Sequence, residues 1–294
     1  MESGHASVLL AESLELLAVR PGGLYVDGTV GLGGHAAAIL GLSGAGGRLI
    51  GLDRDAETLE RARERLRPFG ERARLVHADY REIPQVLGGE RADGILLDLG
   101  TSSVQLDTPE RGFSFRAEGP LDMRMDRSGG ATAADVVNRM SEPDLADVIY
   151  RFGEERSSRR IARDIVAARR RGRIRTTTEL AEIVRRAAGR SRRPGLDPAT
   201  RTFQALRIHV NRELEGLGPA LGALAECLAP RGRMAVIAFH SLEDREVKRT
   251  FRQLSGGGFL VLTRRPIRPG SEETGANPRS RSARLRGLER KDAA

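Results

Sequence analysis

The chain is poor in the residues that build disulfides and metal clusters. One cysteine, Cys227, among 294 residues rules out an internal disulfide and any multi-cysteine metal site. The five histidines, His5, His35, His77, His209 and His240, are scattered and poorly matched with acids, so no metal site is expected. Tryptophan is absent and aromatics make up 4% of the chain, which leaves each phenylalanine needed for core packing. Lysine is nearly missing as well: of 49 basic residues only Lys248 and Lys291 are not arginine. No apolar run approaches the ~20 residues of a membrane span. The segment Met1–Leu10 has neither the basic start nor the long apolar stretch of a signal peptide. A cytoplasmic protein without a membrane partner is therefore expected.

What is present is charge, unevenly divided. Residues 1–150 carry 16 basic and 24 acidic groups, a net of −8, whereas residues 151–200 carry 15 and 6, a net of +9. Residues 201–263 add +3 and residues 264–294 add +5. The positive excess thus sits in one internal segment and the tail, which suggests that these two segments face a polyanion. A solvated arginine face is the plainer alternative.

Hydrophobic patterning supplies the architecture. Residues 7–19 read as an amphipathic helix, and short apolar runs at 24–27, 48–52, 74–77 and 93–97 alternate with helical periods near 34–41 and 55–67. Such alternation predicts a parallel α/β sheet, and Ile95–Leu97 is apolar on both faces, as a central strand requires. From about 107 to 205 only helical periods follow: 131–139, 142–152, 158–171 and 178–188. Strand-like pattern returns at 233–239 and 259–263. The expected organisation is one discontinuous sheet domain, 1–106 and 206–294, interrupted by a helical insertion, 107–205. The tail 264–294 is expected to be partly irregular, with Ala283–Leu285 as an edge strand.

The chemistry is expected where strands end. After the run Leu24–Val26 comes Asp27, then a turn with glycines at 28, 31, 33 and 34, then an Ala-rich helix; the next strand ends in Asp53, about 20 residues beyond the turn. This is the layout of a nucleoside cofactor site, in which glycines admit the ligand to the backbone and the acid grips ribose hydroxyls. The glycine spacing departs from G-x-G-x-x-G, and Asp27 inside the turn would repel a pyrophosphate. A cofactor with a positive centre and no phosphates, S-adenosylmethionine, fits better than NAD, the oxidoreductase alternative. Asp27 then holds an ammonium group, and Asp79 and Tyr80 flank the adenine. Asp98 closes the fourth strand, and Asp98–Asp107 lies where an acceptor would sit. An exocyclic amine is a weak nucleophile, so transfer to it needs alignment and acceptors for its hydrogens more than a strong base. For any one acid a helix N-cap is the plainer role; three at successive strand ends beside four glycines are not well explained that way. The segment Ser241–Asp244 fits a capping box, and His240 before it would face the same crevice. Arg111, Phe113 and Phe115 offer a stacking platform for a base, with packing as the alternative.

Several segments also resemble the bacterial 16S rRNA (cytosine-N4) methyltransferase H family (RsmH/MraW). They are His5–Glu12 (HASVLLAE), Asp27–His35 (DGTVGLGGH), Gly51–Asp55 (GLDRD), Ile95–Asp126 with its ERGFSF…GPLDMRMD block, Gly153–Arg156 (GEER), Ala199–Glu213, Phe239–Lys248 (FHSLEDREVK) and Asn277–Arg286. They run in order through nearly the whole chain. The resemblance implies a class I methyltransferase fold (a Rossmann-like sheet with an inserted helical substrate-recognition domain) and S-adenosylmethionine as methyl donor. It also implies methylation of N4 of cytosine 1402 in the 16S rRNA of the small ribosomal subunit. By position it places cofactor contacts on Gly33, Gly34, His35, Asp53, Tyr80, Asp98 and Gln105, with Asp98 also catalytic, and it ranks Tyr80 above Asp79. A non-catalytic rRNA-binding assembly factor is the alternative function, and a homodimer is compatible with the sequence.

Overall fold

The computed structural model describes residues 7–189 and 197–292. The chain divides into two compact units, Met1–Gly100 with Gly216–Ala294, and Thr101–Glu215. In the first unit α1 (Leu10–Leu17) precedes β1 (Leu24–Asp27), α2 (Gly34–Leu42), β2 (Arg48–Asp53), α3 (Ala56–Leu66), β3 (Ala73–His77), α4 (Ile83–Leu87) and β4 (Ala92–Asp98). α1 is shorter than its sequence pattern because Leu9 and Ala18, at its ends, turn left-handed with φ of 51° and 49°. A right-handed helix cannot run through such residues.

The second unit holds α5 (Ser103–Asp107), α6 (Ala133–Arg139), α7 (Glu142–Gly153), α8 (Ser158–Arg169), α9 (Thr177–Ala188) and α10 (Thr200–Asn211). Hydroxyl caps start several of these helices: Thr132, Ser141 and Thr176 each accept a backbone N–H from the first turn. Their apolar faces form a separate core around Leu145, Ile149, Ile165, Leu180, Val184 and Phe203. The unit begins six residues before and ends ten residues after the limits drawn from sequence, because α5 and the whole of α10 belong to it. α10 is fastened to the end of α7 by Gln204 Nε2 donating to Phe152 O at 3.1 Å and Arg201 Nη1 to Glu154 O at 3.0 Å.

The first unit resumes with α11 (Leu217–Glu226), β5 (Leu228–Ala238), α12 (Ser241–Leu254), β6 (Phe259–Val261), α13 (Ser271–Ala276) and β7 (Arg284–Arg290). Its strands form one sheet in the order β3-β2-β1-β4-β5-β7-β6. β1 to β5 pair in parallel, and β7 is antiparallel to both β5 and β6. The edge strand expected at Ala283–Leu285 is therefore corrected: β7 lies inside the sheet and β6 forms the edge. Cross-strand chemistry explains its place. Arg233 stands opposite Glu289 and donates to it at 2.7 Å, while Leu285 and Leu288 are fully buried. Arg284 and Arg286 grip Asp244 of α12 at 3.1 and 2.7 Å. Part of the positive charge of the tail thus serves the sheet. Among the described residues no helix is long and apolar enough to cross a membrane.

From β1 the chain moves outward through β2 and β3, then returns to the other side of β1 as β4. Connections leave β1 and β4 in opposite directions, and at such a switch point a crevice opens beyond the carboxyl ends of the strands.

Candidate active site

The turn after β1 is tied to both neighbouring strands. Gly28 donates its N–H to Leu96 O of β4 at 2.9 Å, and Val30 donates to Leu52 O of β2 at 2.8 Å. Gly28 has no room for a side chain: a Cβ would lie 2.5 Å from Leu97 Cδ2 and 2.9 Å from Ile83 Cδ1. Gly33 caps α2 with φ of 77°, a left-handed conformation that disfavours a side chain. The first turn of α2, Gly34 and His35, thereby presents helix N-terminal amides at the crevice. His35 is buried, with Nε2 3.1 Å from Val8 O and Nδ1 3.8 Å from Asp98 Oδ2. Facing a carbonyl, Nε2 carries the proton, so Nδ1 is the nitrogen turned to Asp98.

None of the three acids at the ends of β1, β2 and β4 caps a helix. Asp27 is 1% exposed and accepts from Thr29 N at 3.2 Å; burial, with the nearby charge of Asp53, pushes its pKa up to about 7. Asp53 accepts Gly31 N through Oδ2 and Asp55 N through Oδ1, both at 2.9 Å, and burial still raises its pKa. Cap duty for α3 falls to Asp55, which accepts from Glu57 and Thr58. Asp98 holds its place through its backbone N–H, which donates to Thr29 Oγ1 at 2.6 Å. Its Oδ1 is buried without a hydrogen-bond partner among the described residues, although a quarter (25%) of the side chain remains open. Burial first, then the charges of Asp27 and Glu243, raise its pKa well above the usual carboxylate range.

Beyond β3 the roles of Asp79 and Tyr80 separate. Asp79 caps the short turn Tyr80–Glu82 and binds Arg81 through N–H and guanidinium at 2.9 and 2.8 Å, a structural role of its own. Tyr80 is 9% exposed; its hydroxyl is buried without a partner among the described residues and pushed up to about 12, mainly by burial, and the Arg81 guanidinium lies 4.7 Å from its ring centre. Gly33, Gly34, His35, Asp53, Tyr80 and Asp98 therefore all lie on the first unit at the turn or at strand ends. Gln105 is in the second unit, buried at the start of α5, where it forms a reciprocal capping box with Ser102. His5, Arg190, Arg192 and Arg193 lie outside the described residues.

Two sequence readings change. The cap of α12 is His240 with Glu243, not Ser241 with Asp244, because His240 keeps extended backbone (φ −134°) and Ser241 is already helical. Arg111 is 1% exposed and donates to Arg124 O and Met125 O at 3.1 and 3.0 Å, and Phe115 meets Phe203 edge-on at 4.7 Å. These groups stabilise the second unit and form no stacking platform. Thr29 was missed by sequence reasoning; a hydroxyl within a glycine turn was the available signal.

A sequence profile described as the MraW methylase family matches residues 2–291. The chain is 54% identical over 283 residues to a protein of Gloeobacter violaceus named ribosomal RNA small subunit methyltransferase H, covering 96% of this chain and 87% of that one. It is 52% identical over 289 residues to a protein of the same name from Sorangium cellulosum, covering 97% and 90%. In shape it is similar to a solved Clostridium thermocellum structure described as an rRNA-methylase, with a TM-score of 0.50 at 14% identity over 98% of this chain and 100% of the other. At that identity the likeness concerns the fold alone, and it agrees with the α/β sheet expected from sequence.

Proposed function

The chain belongs to the MraW methylase family, and we propose that it transfers a methyl group from S-adenosylmethionine to N4 of a cytosine, position 1402, in 16S rRNA of the small ribosomal subunit. One observation carries the reading: partly unsatisfied acids ring a glycine turn at the switch point of the sheet. The residues fit the cofactor. Asp98 Oδ1 and Tyr80 Oη are buried without partners among the described residues, as groups awaiting a ligand would be. Asp53, with acceptor capacity left on each oxygen, suits two ribose hydroxyls. Tyr80 suits the adenine, and the carboxylate of Asp27 suits an ammonium.

The cofactor supplies an electrophilic methyl on a sulfonium: the N–C bond forms as the C–S bond breaks, leaving a neutral sulfide and one amine proton to dispose of. Asp98 is suited to that proton. Burial and neighbouring acids raise its proton affinity, and Oδ1 has no competing partner among the described residues. His35 Nδ1 lies 3.8 Å from Asp98 Oδ2, beyond direct hydrogen-bond reach. The target base must leave its stack to reach such a site. Exposed Arg151, Arg156, Arg170, Arg171, Arg175 and Arg186 of the second unit provide a phosphate-facing surface, which makes that unit the substrate-recognition element. Labelled S-adenosylmethionine and small subunits lacking the modification test the reading. N4-methylcytidine in the digested rRNA is expected, and folded protein that binds subunits without transfer would instead indicate the assembly-factor role.

A further inference from the structure

The cap of α12 carries a polar group with no role in the chemistry described so far. His240 Nδ1 accepts the Glu243 backbone N–H at 3.3 Å, and Glu243 accepts the N–H groups of Phe239 and His240 at 2.9 and 3.3 Å. Ser, Thr, Asp or Asn would perform this duty with less volume. An Nδ1 that accepts a hydrogen bond bears no proton, so the neutral ring carries its hydrogen on Nε2. His240 is 8% exposed, and this N–H makes no hydrogen bond among the described residues; Glu243 Oε1 is 3.1 Å from Nε2 but out of line with it. An unmade buried donor costs about 1–3 kcal/mol. A cap chosen for stability alone would avoid that cost.

The position of this donor says what it meets. β4 and β5 pair in parallel with Asp98 opposite Ile237, and Leu99 donates to Ile237 O at 2.9 Å. Ile237 thus stands one strand from Asp98, about 4.8 Å across the sheet, and His240 follows three residues further on, two past the end of β5, at the same carboxyl edge. The Phe239 ring lies against Gly100, and the Glu243 carboxylate acts electrostatically on both Asp98 and Tyr80. An amine held at Asp98 thus shares this strand-end edge with the His240 ring, whose neighbour Glu243 is near enough to act on Asp98.

We propose that His240 reads the acceptor base by donating its Nε2 hydrogen to N3 of cytosine, the ring atom next to the methylated amine. The inference rests on the cytosine reading above. Cytosine offers a lone pair at N3, whereas uracil has an N–H there and would set donor against donor. A site built around a hydrogen bond rejects a base that cannot make it far more strongly than a site built on packing alone.

The test uses His240→Ser, which keeps a side-chain oxygen to cap α12 but loses the donor, and small subunits reconstituted with cytidine or 3-deazacytidine at the target. In 3-deazacytidine N3 is replaced by C–H. The wild type should lose at least tenfold in kcat/KM on the deaza substrate. His240→Ser should lose at least tenfold on cytidine, change less than twofold further on the deaza substrate, and bind S-adenosylmethionine within twofold of wild type. Full activity of His240→Ser on cytidine, or two losses that multiply, overturns the proposal. Should the variant unfold, the wild type decides alone, since indifference to replacement of N3 also overturns it. A wild type that methylates neither substrate sinks the functional reading itself, a result distinct from either of these.

Discussion

Replacing Asp27 by asparagine should make the protein more stable at alkaline pH and leave it no more stable in acid. The folded pKa of Asp27 is about 7 against an ordinary 3.8, because the side chain is 1% exposed and Asp53 is close. Below pH 3.8 the group is protonated in both the folded and the unfolded chain and costs nothing. As pH rises from there to about 7 the unfolded chain gives up the proton and the folded chain holds it, so stability falls; above 7 the full cost is present. A pKa displaced from 3.8 to about 7 corresponds to a ceiling of about 4 kcal/mol. Asparagine keeps the acceptor for Thr29 N–H and cannot ionise, so a gain of about 2 kcal/mol at pH 8 is a sober expectation, worth roughly 4–8 °C in Tm. Urea or thermal unfolding of both proteins at pH 4, 6 and 8 reads it directly. A constant offset at all three values, or a loss at pH 8, would refute the reasoning. Affinity for S-adenosylmethionine should move the other way and fall about tenfold, since a functional charge is commonly held at the expense of stability.

Tyr80→Phe removes a buried hydroxyl that has no partner among the described residues; unfolding should show stability unchanged or raised by up to about 1 kcal/mol, while calorimetry shows weaker cofactor binding. Equal affinity would take Tyr80 Oη out of the site. Asp244→Ala strands Arg286, whose side chain is 6% exposed, beside Arg284, and should cost about 3–5 kcal/mol in urea unfolding; a loss below about 1 kcal/mol would mean the pair adds little. Reversing Arg170 and Arg171 to glutamate should weaken subunit binding and flatten its dependence on the logarithm of salt concentration by about 0.7–0.9 for each phosphate no longer engaged. An unchanged slope would place the RNA elsewhere.

The first four strands were the most legible part of the fold, and for a physical reason. Strands buried on both faces leave continuous apolar runs, so β1, β2 and β4 fall within a residue or two of their expected limits. Asp27, Asp53 and Asp98 stand out because a carboxylate after such a run is unusual and local. β7 was harder: its Arg-Leu-Arg-Gly-Leu-Glu-Arg pattern looks like a solvated tail until Asp244 and Glu289 supply partners from elsewhere in the chain or across the ladder. Burial of Arg111 likewise depends on carbonyls 13 and 14 residues away. The His240 cap was hidden because propensity favours Ser241, and backbone conformation alone decides between them.

Arg207 of α10 reaches back to Thr101, the first residue of the second unit, with Nη1 3.5 Å from its hydroxyl. Entry and exit of the insertion therefore converge, and a folded insertion behaves as a short clasp in the polymer sense. Pairing β4 with β5 joins Asp98 to Ile237, and closing so long an excursion as loose coil costs about 2 kcal/mol more than closing one of about ten residues. An insertion that gathers its own ends before the sheet zips removes most of that difference. The same convergence makes it a portable cassette: exchanging residues 101–215 for a brief glycine-serine bridge should leave the remaining sheet able to assemble.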